Sequence, residues 1–269
     1  MSQLIRLSEE QSSILAHMAW KGLLADEKYA DEKKLSKFGF KVYSQAEEDG
    51  ILHEIFRRIG VKHKTFIEIG VSHGRECNTV YLLSQGWRGV WIEGSPTYVK
   101  EIEKHFYGKI TSGKLTPACN YVDRENADKL LAKLTPYKEV DLLSIDVDGN
   151  DYHILKSIAS VSPRVIVLEY NAVFAPPIEW VMPYHPAHIW DGSDHFGASL
   201  KSYELMLSKK GYALVGCTMN GNNAFFVKSE FVKDHFCADT SAECHYEPQR
   251  YWMSKAFMPG HPFKVMADG

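Results

Sequence analysis

The chain has 269 residues, of which 45% are hydrophobic and 24% are charged, and its formal net charge is −3. This composition is that of a globular protein with a large core, and the small negative charge gives no electrostatic footprint for nucleic acid. The five cysteines are scattered without CxxC spacing, which predicts reduced thiols in a cytoplasmic protein and no zinc or disulfide framework. No signal peptide and no run of about 18 apolar residues is found, so we expect no membrane span.

The first 60 residues are predicted to form a helical extension. Its first helix has an apolar stripe that could serve a homo-oligomer interface, formed by Ile14, Leu15, Met18 and Leu23. The charged segment ADEKYADEKKLSK that follows is expected to face solvent. The next segment, SQAEEDGILHEIFRRIG, predicts a helix with Ser44 as its N-cap and Gly60 at its end.

Strands and helices alternate from Thr65 to Lys228. The strand-like runs are TFIEIGV, GVWIEG, KLTPAC, VDLLSIDV and RVIVLEY, and helical stretches separate them. This alternation predicts a mostly parallel sheet that is covered by helices on both faces. A loop rich in proline and aromatic residues follows at 171–198, and then a helix that ends near Gly211 and a hairpin around Asn220-Gly221.

The hairpin makes the predicted topology specific. Five parallel strands, a helix and a terminal antiparallel hairpin form the seven-stranded sheet of the Rossmann-like class I methyltransferase fold. The predicted organisation is a helical extension (1–60), a Rossmann-like domain (61–230) with a substrate loop (171–198), and an irregular C-terminal segment (231–269). In open sheets of this kind, ligands bind at the carboxyl ends of the strands.

The stretch FIEIGVSHG, residues 66–74, joins a buried strand to a glycine turn but carries a carboxylate, Glu68. Gly70 and Gly74 allow the backbone to approach a ligand, whereas Glu68 would repel a pyrophosphate. S-adenosylmethionine has no phosphate and presents a cationic ammonium and a cationic sulfonium, so Glu68 can attract it directly or through water. The alternative is that Glu68 caps or pairs structurally. The glycine spacing lacks the third glycine of the dinucleotide fingerprint.

Two further strand ends carry polar residues. Glu93 ends the second strand and can accept hydrogen bonds from both ribose hydroxyls, the role of the second-strand acid in nucleotide-binding folds. The alternative is an acid that is merely exposed at a strand end. Asn120, after the third strand, either reads adenine or turns the chain.

Acidic residues crowd the end of the fourth strand in DLLSIDVDGND, where they are Asp146, Asp148 and Asp151. Like charges at such spacing are costly unless a cation or ligand compensates them. The fifth strand ends in VLEYN, and parallel pairing would bring Glu169 and Asn171 close to Asp146. Three hard oxygen ligands predict a site for Mg²⁺ or a similar divalent cation. The alternative is that Asp146 contacts only cofactor or substrate and that Glu169 hydrogen-bonds loops.

The loop at 171–198 offers a general base. His195 is the first candidate, beside Asp194, which could orient it, and Asp146 and Asp148 complete the expected catalytic set. His153 follows the acidic cluster but is expected within a helix. Four aromatic residues of the loop either stack on a sugar or pack within the loop, namely Phe174, Trp180, Tyr184 and Trp190.

The segments YSQAEEDGILHEIFRRIG, FIEIGVSHGRECNT, GVWIEG and DLLSIDVDGNDYHIL together resemble the FkbM-type S-adenosylmethionine-dependent methyltransferases over about residues 42–170. The resemblance implies cofactor binding by the motif acids and glycines, namely Glu68, Gly70, Gly74 and Glu93. Asn78 is also expected to contact the cofactor. It also implies a lid over the cofactor with Gln45 as a contact, formed by Ser44, Gln45, Glu48 and Asp49. The strand-end acids are also similar to those of metal-dependent O-methyltransferases such as catechol O-methyltransferase, although Tyr170 separates Glu169 from Asn171.

The expected function is S-adenosylmethionine-dependent O-methylation of a sugar or glycan hydroxyl, because the family mostly methylates such hydroxyls. An NAD- or nucleotide-linked Rossmann enzyme is the second hypothesis. A binding module that keeps the cofactor pocket without chemistry is the third.

Overall fold

A computed structural model of the chain describes residues 2–257. Its strands are β1 (Thr65–Ile69), β2 (Arg88–Glu93), β3 (Leu115–Cys119), β4 (Leu142–Ile145), β5 (Val165–Glu169), β6 (Tyr212–Cys217) and β7 (Asn223–Lys228). They form one sheet in the order β3-β2-β1-β4-β5-β7-β6, in which β7 is antiparallel to both neighbours and the other pairs are parallel. This arrangement confirms the predicted fold, a mostly parallel Rossmann-like sheet with a terminal antiparallel hairpin.

The central strands are apolar without alternation because both faces of the sheet are covered. All five residues of β1 and all four of β4 are buried. Successive side chains of a strand point to opposite faces, and Phe66 accordingly joins one apolar cluster while Ile67 joins another. The two clusters sandwich the sheet and leave its carboxyl edge free for polar residues.

The helices are α1 (Ser2–Leu24), α2 (Glu48–Ile59), α3 (Val80–Ser84), α4 (Pro96–His105), α5 (Tyr107–Thr111), α6 (Ala127–Leu134), α7 (Asp151–Ser157), α8 (Leu200–Lys209) and α9 (Ala242–His245). Each predicted helix of the alternating region is present. Gly211 follows α8 with φ +85°, the left-handed conformation expected of a glycine at a helix end. Residues 258–269, which belong to the predicted C-terminal segment, lie outside the described residues, as does Met1.

The start of α2 corrects one prediction. The helix begins at Glu48, and Ser44 lies four residues before it instead of serving as its N-cap. Ser44 Oγ still accepts a hydrogen bond from the backbone N–H of Asp49 at 3.3 Å. Asp49 in turn accepts the N–H groups of residues 42, 43 and 44 at 2.6–3.0 Å, which bends the preceding segment back onto the helix.

The N-terminal extension is only partly as predicted. Residues 25–47 form two short 3₁₀ turns, Glu27–Tyr29 and Leu35–Phe38, and the segment expected to face solvent buries Tyr29 and Leu35. Among the described residues, no helix is both long and apolar enough to cross a membrane.

The loop at 171–198 is tied down at its base, beside the end of β5. The backbone N–H groups of Asn171, Met182 and Ser199 donate to the carbonyls of Ala198, Gly197 and Trp180 at 2.8–2.9 Å. Gly197 N–H donates to the carbonyl of Gly149, which joins the loop to the acidic segment after β4. These bonds hold the loop against the carboxyl edge of the sheet.

Candidate active site

A cavity of about 590 Å³ lies at the carboxyl ends of β1, β2, β3 and β4. Of the predicted site residues, it brings together Gln45, Gly70, Glu93, Asn120, Asp146 and Asp148. Its volume is within the range of small-molecule sites. Its position is the one that the topology of an open parallel sheet predicts for a ligand.

Glu93 is fixed in the cavity by two backbone hydrogen bonds. Its Oε2 accepts the N–H of Ser72 and its Oε1 accepts the N–H of Ser95, both at 2.8 Å. The φ of +49° at Ser72 turns that N–H toward the carboxylate. Each oxygen keeps a lone pair for another donor, so the carboxyl group of Glu93 is oriented to accept hydrogen bonds from a pair of hydroxyls.

The two motif glycines have different environments. Gly70 lines the cavity with φ +81°, and a Cβ on it would lie 1.6 Å from the carbonyl oxygen of Asp146, so no larger residue fits. Gly74 faces the apolar core instead, where a Cβ would lie 2.7 Å from the ring of Trp91. Gly70 is thus available to a ligand, whereas Gly74 serves packing.

Glu68 is 2% exposed and does not line the cavity. Its Oε1 accepts the N–H of Asn78 at 2.8 Å, and its Oε2 accepts both the N–H and the hydroxyl of Thr79. Burial raises its pKa, while these hydrogen bonds oppose the increase. The geometry therefore favours the structural alternative for Glu68, which holds the segment before α3 against β1.

Asn78 is also buried, and its Nδ2 donates to the hydroxyl of Ser144 at 3.0 Å. Its backbone and side chain serve the same network as Glu68. Asn78, predicted to contact the cofactor, does not line the cavity, and its backbone N–H and Nδ2 donate to groups within the protein.

Three carboxylates form a cluster beside the cavity. Asp146, Asp148 and Glu169 each place an oxygen within 4.8 Å of the others. Asp148 has φ +54°, which turns this residue out of the line of β4. Asp151 holds the turn by accepting the N–H groups of Val147 and Gly149, both at 2.9 Å.

The cluster carries unbalanced negative charge. Burial, followed by the charges of Asp151 and Asp148, raises the pKa of Asp146 well above its usual value. Burial and the charge of Asp146 do the same for the pKa of Glu169. A donor set of three carboxylate oxygens with raised pKa values fits a hard divalent cation, which would relieve the repulsion.

Asn171 does not belong to this cluster, which corrects its prediction as a metal ligand. The residue is fully buried, and its Nδ2 donates to the carbonyls of Asp194 and Phe196 at 2.7 and 3.0 Å. Its Oδ1 accepts the N–H of Val173. The residue ties the ends of the loop at 171–198 together, and Asp148 takes its predicted place among the oxygens.

His195 is exposed and does not line the cavity. Its ring lies edge-on to Trp180 with centroids 5.9 Å apart, and its charge acts on Asp191. The carbonyl of Asp194 is bound by Asn171. His195 thus lies outside the cavity lining, and its role as the base stays a prediction.

His153 and three of the four loop aromatics make contacts within the protein. His153 Nε2 lies 2.7 Å from the carbonyl oxygen of Met182. Phe174 stacks on Trp180 with centroids 4.3 Å apart, and Tyr184 lies under the guanidinium of Arg124. Trp190 is half exposed, and its indole N–H donates to the carbonyl of Ser193.

The cavity lining also includes residues that the sequence did not single out, among them Tyr98, Tyr121, His188 and Ile189. The rings of Tyr98 and Tyr121 border the side that carries Glu93 and Asn120. His188 lies against Gly149, and its charge lowers the pKa of Asp148 against the larger effect of burial. A histidine in the loop was expected, but three occur there and no pattern distinguishes them.

No family model and no curated protein matches the chain. Among solved structures, it is similar to a Klebsiella pneumoniae protein assigned as an O-methyltransferase, with 15% identity, 81% of this chain and 97% of that chain covered, and a TM-score of 0.47. It is also similar to a Staphylococcus aureus protein assigned as a caffeoyl-CoA O-methyltransferase. The identity is 12%, 66% of this chain and 81% of that chain are covered, and the TM-score is 0.46. A third similar structure is magnesium protoporphyrin IX methyltransferase from Synechocystis PCC 6803 with bound SAH. The identity is 15%, 69% of this chain and 83% of that chain are covered, and the TM-score is 0.44. Because each of these TM-scores is below 0.5, the similarities support no statement about activity or substrate.

Proposed function

We propose that the chain is an S-adenosylmethionine-dependent O-methyltransferase that acts on a hydroxyl of a sugar or glycan. The observation that carries the proposal is the charge of the cavity. Its lining includes Glu93, Asp146 and Asp148 but, among the described residues, no lysine or arginine. A pyrophosphate would be repelled there, whereas the ammonium and sulfonium of S-adenosylmethionine would be attracted. This charge weighs against the NAD-linked alternative.

The cofactor would extend along the strand ends. Glu93 would accept the ribose hydroxyls, and Tyr98, Tyr121 and Asn120 would surround the adenine. The backbone at Gly70 would let the methionine end approach β1, and Gln45 would border it from the N-terminal segment. The sulfonium would then face the acidic cluster.

Methyl transfer is an in-line displacement. The acceptor oxygen attacks the methyl carbon, the C–S bond breaks with its electron pair going to sulfur, and the hydroxyl proton passes to a base. A divalent cation held by Asp146, Asp148 and Glu169 would lower the pKa of the hydroxyl and orient a diol. The chain contributes the alignment of the two reactants and the carboxylates that face the developing charges.

Calorimetry with S-adenosylmethionine, S-adenosylhomocysteine and NAD tests the cofactor. We expect the first two to bind and Glu93→Ala to weaken their binding by about 10- to 100-fold, because hydrogen bonds to a charged group contribute about 1.5–3 kcal/mol. Glu103→Ala removes an exposed acid of α4 and is the matched control. Binding of NAD in preference to both ligands would contradict the proposal.

The acceptor is tested separately. A panel of nucleotide sugars and capsular or O-antigen fragments is incubated with S-adenosylmethionine and Mg²⁺, and products are scored by a mass gain of one methyl group. Transfer to sugar hydroxyls is expected. If the protein binds the cofactor but methylates no member of any hydroxyl-bearing panel, the binding-module hypothesis is favoured instead.

We also propose that α1 mediates homo-oligomerisation. Ile14, Leu15 and Met18 are 61%, 66% and 64% exposed, while Trp20 and Leu23 on the other side of the helix contact the rest of the protein. An apolar stripe of this kind is costly in water and is commonly covered by another chain.

A further inference from the structure

We propose that Tyr251 binds the acceptor of methyl transfer and donates its hydroxyl proton to an acceptor oxygen beside Glu169. The inference rests on the proposed function and assigns a binding residue for its second substrate. Glu169 belongs to the carboxylate cluster but, unlike Asp146 and Asp148, does not line the cavity assigned to the cofactor. It is partly exposed. The cluster thus has a second side, away from the cofactor, at which an acceptor would approach.

The chain segment that leads to Tyr251 is fixed to the residues that follow β5. The hydroxyl of Tyr170 donates to the carbonyl of Glu247 at 2.6 Å and accepts the N–H of the same residue at 3.2 Å. The hydroxyl of Tyr246 donates to the carbonyl of Ala172 at 2.5 Å. These three bonds hold the segment against the carboxyl end of β5.

The turn that joins β6 to β7 fixes the same segment a second time. The N–H of Arg250 donates to the carbonyl of Asn220 at 2.8 Å. The turn leads into Asn223, which lies opposite Glu169 in the sheet. Because Tyr251 directly follows Arg250, the backbone places it at the edge of the sheet where Glu169 ends β5.

The end of the loop at 171–198 lies on the other side of Glu169. Asn171 Nδ2 donates to the carbonyl of Asp194 at 2.7 Å, which fixes Asp194 beside the end of β5. Burial raises the pKa of Tyr251, and the charges of Glu169 and Asp194 raise it further. Because the interaction of two charges falls with distance, this agrees with a hydroxyl that lies between the carboxylate cluster and the loop.

The hydroxyl of Tyr251 is accessible and oriented. The residue is 45% exposed, and its Oη accepts a hydrogen bond from Gln249 Nε2 at 3.1 Å. A phenol has one proton to donate, and none of the described residues accepts it from Tyr251. Tyr170 and Tyr246 differ in this respect, because each donates its proton to a backbone carbonyl. A ligand can therefore accept the proton of Tyr251 without breaking a bond within the protein.

This combination of groups suits an uncharged polyhydroxyl ring. A sugar hydroxyl can accept the proton of Tyr251 and donate its own to a carboxylate such as Asp194. The exposed aromatic ring offers an apolar surface to the C–H groups of the sugar. A carboxylate on the sugar ring would be repelled by Asp194 and Glu169. The subsite thus favours neutral sugars over uronic acids.

The test titrates the full-length protein, with S-adenosylhomocysteine and Mg²⁺, with the 4-nitrophenyl glycosides of glucose, galactose, mannose and rhamnose, and follows binding by NMR. Tyr251→Phe keeps the ring and removes the proton. The Kd of the tightest probe should rise about 2- to 12-fold, the equivalent of about 0.5–1.5 kcal/mol for one hydrogen bond. Tyr251→Ala should raise it further. Tyr107→Phe, at an exposed tyrosine of α5, is the matched control and should leave it unchanged.

Two further measurements separate acceptor binding from a structural role. The Kd of S-adenosylhomocysteine should be the same in wild type and in all three variants. For probes that are methylated, Tyr251→Phe should raise KM by the same factor as Kd and leave kcat within about twofold, because the bond holds substrate and transition state alike. In wild type, 4-nitrophenyl glucuronide should bind more weakly than the glucoside.

The assignment would be overturned if Tyr251→Phe bound every probe as wild type does, or if wild type bound S-adenosylhomocysteine but none of the four glycosides. It would also be overturned if Tyr251→Ala lost affinity for S-adenosylhomocysteine to the same extent, which would place the ring at the cofactor. Equal or tighter binding of the glucuronide would contradict the preference for neutral sugars. Failure of the wild type to bind S-adenosylmethionine and S-adenosylhomocysteine would instead overturn the proposed function.

Discussion

Removing the charge of Glu169 should stabilise the metal-free protein and abolish its response to divalent cations. Glu169 and Asp146 place carboxylate oxygens within 4.8 Å of each other. At that separation, two charges repel by about 3.5 kcal/mol for an effective dielectric constant of about 20. Glu169→Gln keeps the size and one oxygen of the side chain but removes this repulsion.

The pH dependence follows from the direction of the pKa shifts. The pKa values of Asp146 and Glu169 are raised in the folded protein, so their protonated forms are favoured by folding. The stability that they contribute is fully present below their ordinary values of 3.8 and 4.5 and is lost as the pH rises through the raised values. A bound cation reverses this loss because it favours the ionised forms.

Thermal unfolding at pH 5 and pH 8, in EDTA and in excess Mg²⁺, measures these effects. In EDTA at pH 8, Glu169→Gln should unfold at a higher temperature than wild type, by up to roughly 5–10 °C if most of the repulsion is relieved. At pH 5 the difference should shrink. Mg²⁺ should raise the unfolding temperature of wild type at pH 8, since a ligand at 100 times its Kd contributes about 2.7 kcal/mol, but not that of Glu169→Gln.

Glu103→Gln is the control for a change of one charge outside the cluster, since Glu103 is exposed on α4. It should respond to Mg²⁺ as wild type does. An equal response to Mg²⁺ in wild type and Glu169→Gln would refute the reasoning. The reasoning would also be refuted if, in EDTA, the stability of wild type did not fall relative to that of Glu169→Gln as the pH rises.

Three further changes probe the fold around the site. Glu68→Gln should lower the unfolding temperature without changing S-adenosylmethionine affinity, because each buried donor left unpaired costs about 1–3 kcal/mol. A large loss of affinity in protein that remains folded would instead indicate that Glu68 binds the cofactor directly. Gly70→Ala should destabilise the protein by more than about 2 kcal/mol in denaturant unfolding, because a Cβ would overlap a backbone carbonyl; unchanged stability would contradict this close approach. Ile14→Glu should convert an oligomer to a monomer in sedimentation experiments, and a monomeric wild type would contradict the proposed interface.

The sequence predicted the sheet because both of its determinants are local. Continuous apolar runs such as residues 142–145 mark strands that are buried on both faces, and Asn220-Gly221 marks the hairpin that reverses β7. Once the order of the strands is known, the carboxyl ends lie on one edge. Glu93 and Asp146 were found in this way, because a polar residue at the end of a buried strand has few other places to lie.

The directions in which individual side chains point were harder to predict than the strands. Glu68 lies inside β1, one residue before its end, and points to the side where Thr79 and Asn78 supply donors. Asn171 lies two residues after the end of β5, yet its side chain turns into the loop that it anchors. In both cases the partners are distant in sequence, and a pattern of residue types in one segment does not reveal them.

The loop at 171–198 shows the same limit most clearly. Its composition indicated a loop that covers the strand ends and carries a histidine. Which histidine lies at the cavity depends on Gly149 and Asn150, which lie about 40 residues earlier in the chain. A glycine in an acidic turn is ordinarily explained by the turn itself. Here Gly149 is not in a left-handed conformation, and the ring of His188 accounts for the missing side chain. The glycine and the histidine thus form one feature, because substitution of the first would displace the second from the carboxylates that it faces.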